Sequence, residues 1–153
     1  MSINEFRGET RWLSNFHSVE VVFEGMTFPT TEHAYQAAKT HDLSLREMIR
    51  GLDTPGKARK AGRLLVLENP EEWNQWNESR KFAVMEDLQR QKFSKDPYLR
   101  QKLLDTGDVP LVEGNWWHDN CWGSCLCEKC GNEGDNHLGQ IIMKIRDELK
   151  NAK

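Results

Sequence analysis

Apolar and polar residues alternate through VEVVFEG, from Val19 to Gly25, and this predicts a β-strand with Gly25-Met26 turning the chain into a short second strand. Pro29-Thr30-Thr31 then breaks the pattern. Thr30 or Thr31 is placed to cap a helix beginning at Glu32, because a Thr oxygen accepts from the free N–H groups of a first turn, and Glu32 adds favourable charge there. EHAYQAAK reads as that helix. Further helices are predicted over Leu43–Leu52, Gly56–Val66, Pro70 to about Phe93, and Asp96–Leu104. In the long segment Phe82, Met85, Leu88, Gln89, Lys92 and Phe93 recur at three- and four-residue spacing, the stripe of a helix facing a core. LVEGNWW adds one short strand. The run Leu138, Ile141, Ile142, Ile145, Leu149 predicts a C-terminal amphipathic helix capped by Asn136 or Asp135. The fold class expected is mainly α with a small β element (α+β), as one domain over residues 1–153, since no repeat, low-complexity stretch or Gly/Ser/Pro linker divides the chain.

Composition narrows the class. With 153 residues, 37% hydrophobic and 29% charged, the chain suits one globular core and excludes a disordered or fibrous protein. A domain of this size buries about 68–70% of its unfolded surface, so it needs no disulfide or metal merely to fold. No apolar run approaches the roughly 20 residues of a membrane span, and MSINEFRGET lacks the regions of a signal peptide, so a soluble cytoplasmic protein is expected. Lys plus Arg number 21 against 24 Asp plus Glu, which argues against broad phosphate-driven binding to nucleic acid but leaves room for a local phosphate pocket. Six Trp, and four Cys confined to positions 121–130, are not explained by composition.

Four places put polar groups beside aromatic or small residues in a way packing does not require. In Trp12-Leu-Ser-Asn-Phe16, Asn15 either presents an amide to a pocket or makes an Asx turn ahead of the strand. On a helix, Glu32, Tyr35, Gln36 and Lys39 share one face, so carboxylate, phenol, amide and ammonium converge; a solvated amphipathic face would look similar. Arg63 after Ala61-Gly62, with Trp73, Trp76, Arg80 and Lys81, offers cations for a phosphate and a flat ring for a base, against the bland alternative of a solvated charge run (Lys57, Arg59, Lys60, Arg63) and core Trp. Glu113-Gly-Asn-Trp-Trp-His-Asp-Asn-Cys-Trp-Gly123 is dense enough in Trp, Asn, His and carboxylate to line a site. Glu32 and Asp119, with aromatic walls, form a minimal kit for cleaving a glycosidic bond: one carboxylate orients or deprotonates water and negative charge stabilises an oxocarbenium-like sugar.

Cys121, Cys125, Cys127 and Cys130 follow the spacing C-x3-C-x-C-x2-C. In an intracellular chain thiolate metal binding is a sharper reading than disulfides, and a structural zinc is expected. The loop supplies three ligands close together, with Cys121, His118 or His137 as the fourth; the bland reading is a set of reduced thiols with Cys121 packing beside Trp122.

At these segments the chain resembles the NADAR, or YbiA-like, family over nearly its whole length. The matching stretches are Leu-Ser-Asn-Phe16, Pro29-Thr-Thr-Glu-His-Ala-Tyr-Gln-Ala-Ala-Lys39, Ala61-Gly-Arg63, Met85 followed by Lys92-Phe93, Leu103-Leu-Asp-Thr-Gly-Asp108, Leu-Val-Glu113, Asp119-Asn-Cys-Trp-Gly123, and Gly134-Asp-Asn-His-Leu-Gly139 ahead of Met143 and Arg146. The resemblance implies a largely helical YbiA-like fold and an N-glycosidase acting on ribosyl compounds, either riboflavin-pathway ribosylaminopyrimidine phosphates or ADP-ribosylated guanine in nucleic acid. It implies Glu32 as catalytic carboxylate and Asp119 with Trp122 as a second wall. Asn15, Lys39, Arg63, Trp76, Lys81, Trp122, Gly123 and Asn136 are the substrate-binding candidates, with Trp73 the other position for the family's helix Trp. No cofactor is expected for catalysis. The rival reading is a non-catalytic module that binds ADP-ribose or NAD; a zinc-binding structural protein would leave the Glu32 block unexplained.

Overall fold

The computed structural model describes residues 1–65 and 70–152. They divide into two compact units, Asn15–Lys92 and Met1–Ser14 with Phe93–Lys153. Helices dominate both, with two small sheets, which is the α+β class the sequence pattern predicts.

In the first unit β1 (Ser18–Phe23) and β2 (Met26–Thr30) form an antiparallel hairpin in which Phe23 pairs with Met26 and Val21 with Phe28. The turn residues are Glu24 and Gly25, with φ of 45° and 81°, one position earlier than expected. Two successive positive φ values match the twist of the strands, and a Gly in the second position makes this conformation inexpensive. Pro29 lies inside β2 rather than ending it; a two-stranded sheet has a free edge on each strand, where a missing N–H breaks no ladder bond.

Thr30 is the cap of α1 (Thr31–Ala37), its hydroxyl accepting from the His33 N–H at 3.1 Å, so the helix starts one residue before Glu32. Every residue of α1 is buried. A helix so enclosed has no solvated face, which removes the bland reading of its polar residues. α2 (Leu43–Arg50) is capped by Asp42, and α3 (Pro55–Arg63) by Thr54 with Pro55 in the first turn. Val66, the predicted end of α3, lies outside the described residues. Both helices pack against α1. Arg46 on α2, 3% exposed, donates from Nε to the Thr40 carbonyl at 2.8 Å and from Nη1 to Glu24 at 2.9 Å, tying the segment after α1 to the hairpin turn.

The long helix predicted from Pro70 is present but not uniform. It runs as α4 (Pro70–Gln75), a π-helical turn over Trp76–Arg80, and α5 (Lys81–Lys95). Side chains compete for carbonyls on entry to that turn: Asn77 Nδ2 donates to Trp73 O at 3.1 Å and Ser79 Oγ to Gln75 O at 3.3 Å. Such substitutions for the regular ladder accompany a widened turn, and π-turns recur at functional sites.

The second unit contains a 3-10 helix (Gly8–Leu13) that hydropathy spacing does not reveal, α6 (Pro97–Asp105) capped by Asp96, and α7 (His137–Asn151). β3 (Gly114–Asn115) pairs in parallel with β4 (Ser124–Cys125). Its core holds Leu99, Leu103, Leu111, Leu138, Ile142 and Ile145, with Trp12 edge-on to Phe93 at 6.2 Å. Asn136 occupies the cap position of α7 with φ of 51°, yet its side chain does not cap. It accepts from the Glu113 N–H and donates to Leu111 O, both at 2.9 Å, so it fastens the β3 approach to the helix start.

His33 gives the first unit a pH signature. Its Nε2 donates to Leu52 O at 2.9 Å, which leaves Nδ1 to accept from the Thr30 hydroxyl at 2.7 Å. Burial holds its pKa below the ordinary value, partly opposed by the bond to Leu52. The unfolded chain therefore takes up a proton on this residue that the folded chain resists, and stability falls as pH drops through about 6.5, the unfolded value. Urea denaturation of wild type and His33→Gln between pH 7.5 and 5 is expected to show a steeper acid-side loss for wild type; parallel curves would contradict it.

Candidate active site

Glu32 enters the interior at the first turn of α1 and is 7% exposed. Its backbone N–H, an orphan of the helix start, donates to the Asn15 carbonyl at 3.1 Å. One carboxylate oxygen accepts from Gln36 Nε2 at 2.9 Å, the i to i+4 contact expected on a helix face. Gln36 is itself 4% exposed, and its carbonyl oxygen has no hydrogen-bond partner among the described residues. That oxygen sits where a side chain at position 62 would be: a Cβ on Gly62 would come 1.8 Å from it. Gly62 on α3 is therefore a requirement of the Glu32–Gln36 pair.

The same helix carries an aromatic and a cation. The Tyr35 ring lies 5.5 Å from Trp76 at 43°, and Lys39, just past the end of α1, places Nζ 5.4 Å from the Tyr35 ring. Burial pushes the Lys39 pKa down; Glu32 opposes that shift, while Lys81, Arg63 and Arg59 reinforce it. Lys39 thus feels one carboxylate and three other cations. A buried charge is tolerable when hydrogen-bonded and surrounded by opposite charge. The excess of cations leaves the neighbourhood suited to an anionic group such as a phosphate.

Several expected residues take other parts than the sequence suggests. Asn15 does not offer its amide: Oδ1 accepts from Gln89 Nε2 and Nδ2 contacts Met85 Sδ at 3.6 Å, so it acts on Glu32 through its backbone carbonyl. Trp76 is 1% exposed, enclosed against Tyr35 and with the Arg80 guanidinium 6.0 Å from its ring, so it presents no open face. Trp73 is half-buried. Lys81 is half-buried and Arg63 is exposed. Arg59, which reads as part of a solvated charge run, belongs to the cationic group around Lys39.

In the other unit, Asp119 shapes its own loop. Its Oδ1 accepts from the N–H groups of Cys121 at 3.1 Å and Trp122 at 3.0 Å, an Asx-type turn. Asn115, 1% exposed, brackets that turn by accepting from the Asp119 N–H at 3.0 Å and donating to its carbonyl at 2.8 Å. Gly123 is needed because a Cβ there would lie 2.1 Å from Glu113 O. Trp122 stands edge-on to His137 at 6.4 Å. Asn115, missed from sequence, carries no signal beyond being an Asn beside Gly114.

The cysteine loop gathers four ligand atoms within 4.8 Å of one another: His118, Cys125, Cys127 and Cys130. His118 Nδ1 lies 3.3 Å from Cys130 Sγ, 3.6 Å from Cys125 Sγ and 3.7 Å from Cys127 Sγ, and the sulfurs of Cys125 and Cys127 are 3.4 Å apart. Cys121, expected as a ligand, is outside this group. Its N–H is held by Asp119 and its carbonyl accepts from the His137 N–H, which commits it to the Asp119 turn. His118, with φ of 67°, takes the fourth corner. A tetrahedral ion with metal–sulfur bonds of about 2.3 Å and metal–nitrogen bonds of about 2.0–2.1 Å has edges of ~3.6–3.8 Å, close to the spacing of these atoms. The cluster can hold a metal ion without rearrangement of the chain.

Comparison with known proteins shows what the chain as a whole is similar to. A family model described as the NADAR domain matches residues 4–150. The N-glycosidase YbiA of Escherichia coli (strain K12) is 35% identical over 136 residues, 89% of this chain and 79% of the relative. An N-glycosidase of Nostoc punctiforme is 33% identical over 141 residues, 90% of this chain and 85% of the relative. A riboflavin biosynthesis protein of Vibrio vulnificus is 31% identical over 143 residues, which is 91% of this chain but 35% of that protein. The solution NMR structure of E. coli YbiA aligns with a TM-score of 0.76 at 32% identity, over 98% of this chain and 84% of that one.

The contact between α1 and α3 is open to a direct test. Gly62→Ala is expected to displace Gln36 from Glu32 and to cost about 1–3 kcal/mol in urea denaturation, the usual range for an added methyl in a filled interior. Gln36→Ala in the same chain should recover most of that loss. Equal destabilisation of single and double variants would show that Gly62 answers to something other than Gln36.

Proposed function

The chain belongs to the NADAR domain family, and on that premise we propose that it is an N-glycosidase that hydrolyses the bond between a phosphate-bearing ribose and a nucleobase-like group. The observation that carries the reading is the buried Glu32 carboxylate, held by Gln36 and electrostatically coupled to Lys39, which also feels the charges of Lys81, Arg63 and Arg59. A carboxylate so held is suited to orient a water molecule and take its proton, and the cations to bind the ribose phosphate or the diphosphate of ADP-ribose.

The reaction balances simply. The C–N bond to the base breaks with its electron pair leaving on nitrogen; water oxygen bonds to the anomeric carbon; one water proton passes to Glu32 and onward, and the departing base nitrogen is protonated. The sugar is oxocarbenium-like between the two events, and a negative charge on its face lowers the barrier. Asp119 is assigned that stabilising role, and Trp122 ring packing, on the family likeness of Asp119-Asn-Cys-Trp-Gly123. Trp76 serves as the support behind Tyr35 rather than as a stacking face. The candidate substrates are ribosylaminopyrimidine phosphates of the riboflavin pathway, in keeping with the name of the Vibrio vulnificus relative, and ADP-ribosylated guanine. A zinc ion in the His118, Cys125, Cys127, Cys130 cluster is structural in this reading, outside the reacting atoms.

Glu32→Gln keeps the shape of the side chain and removes the base. It is expected to lower turnover at least 100-fold, within the range for loss of a general base, while ADP-ribose affinity changes by only a few-fold. Release of free base from a ribosylaminopyrimidine phosphate and from ADP-ribosylated guanine nucleic acid is the assay. Wild-type turnover in the variant would overturn the role of Glu32. Tight ADP-ribose binding with no base released from either compound by the native protein would instead establish a binding module.

A further inference from the structure

The cysteine loop is the one strongly chemical feature that glycosidic hydrolysis does not use. Its four ligand atoms are spaced for a tetrahedral ion, and three sulfurs with one imidazole favour zinc over the hard cations that prefer oxygen. The backbone is folded to present them. Gly131 N donates to Cys127 O and Asn132 N to Cys125 O, both at 3.0 Å, and Gly131 and Asn132 have φ of 67° and 56°, the tight return that brings Cys130 back on Cys125 and Cys127.

The position of the ligands along the chain gives the site a second meaning. His118 directly precedes Asp119, and Cys125 follows Gly123 by two residues, so the ligands flank the Asp119–Gly123 turn on both sides. The same turn is held from within by Asp119 Oδ1 on the N–H groups of Cys121 and Trp122. Asn120 Oδ1 additionally accepts from the Cys125 N–H at 2.8 Å. Against these, His118 is exposed and in a left-handed conformation unfavourable to a residue with a side chain, so little in the chain alone keeps it turned toward the sulfurs.

We infer that zinc bound by His118, Cys125, Cys127 and Cys130 is a clamp that closes the Asp119–Gly123 turn, which makes His118 a positioning residue for Asp119 and Trp122. The metal site stands on the ligand geometry alone; only the importance of Asp119 to turnover rests on the N-glycosidase reading. Binding carries three thiolates and a neutral imidazole to the ion, with release of the corresponding thiol protons. The remainder of the protein has its own apolar cores and does not need the ion to fold.

The test uses the full chain. Elemental analysis after purification without chelator should find about one zinc per chain, and less than one metal per ten chains overturns the site. After removal of zinc, amide hydrogen exchange followed by NMR should accelerate at least tenfold at Cys121, Trp122 and Cys125, while His33 and Ala34 of α1 stay unchanged. Unchanged exchange at all of these overturns the clamp even if zinc is present. Uniform acceleration, α1 included, also overturns it, since the ion would then support the fold at large. His118→Ala should reproduce the local acceleration with three cysteines intact, and His118→Cys, which restores a fourth ligand, should reverse it. If metal and exchange behave as expected but no substrate is cleaved, the clamp stands and the N-glycosidase reading fails.

Discussion

Burying a carboxylate is the constraint from which most of the first unit follows. Glu32 at 7% exposure must be hydrogen-bonded and faced by positive charge, or its cost would exceed what a small core can absorb. Each neighbouring element answers one part of that requirement. Thr30 starts the helix in the right place, Asn15 satisfies the Glu32 N–H, and Gln36 takes one carboxylate oxygen. Gly62 leaves the space that Gln36 fills, and Lys39 supplies opposite charge. A carboxylate held in one orientation in this way is what the proposed general-base role of Glu32 would need.

The second unit solves a different problem by a different means. Its loop from Leu111 to Asn136 contains almost no regular structure, so side-chain amides stand in for the missing ladder: Asn115 on Asp119, Asn120 on Cys125, Asn136 on Glu113 and Leu111. Glycines stand where a side chain would meet backbone: a Cβ at Gly114 would lie 2.1 Å from Asn4 O and one at Gly139 2.2 Å from Leu111 O. Loops fastened in this way carry chemistry on a rigid base.

Polar residues in this protein divide between those that act directly and those that hold them. Asn15 and Trp76 illustrate the second group. Both sit in segments that announce a site, yet one is tied to Gln89 and the other is shut behind Tyr35. A motif read as a row of letters gives every member equal standing; hydrogen bonds and exposure rank them.

The elements of the fold were legible because they depend on short-range order. Alternation revealed the hairpin, a Thr cap marked the start of α1, and a three- and four-residue period revealed α7 and the apolar stripe of α5. The Glu32, Tyr35, Gln36, Lys39 face was legible for the same reason, since one helix face is a local property. The 3-10 helix, the π-turn at Trp76–Arg80 and the exact turn residues were not, because none of them leaves a hydropathy period: the π-turn goes with side chains that compete for backbone carbonyls, and the hairpin turn is set by backbone φ. Which residue completes the cysteine cluster was beyond the sequence as well: Cys121 lies four residues from Cys125, His118 seven from Cys125 and His137 seven from Cys130, so chain distance favours Cys121, and only the folded loop brings His118 to the sulfurs instead. The sequence by itself determined the inventory of chemical groups and the local periodicity that displays them. The tertiary structure decided which of those groups are free to act, because that depends on hydrogen bonds and close approaches between residues far apart in the chain.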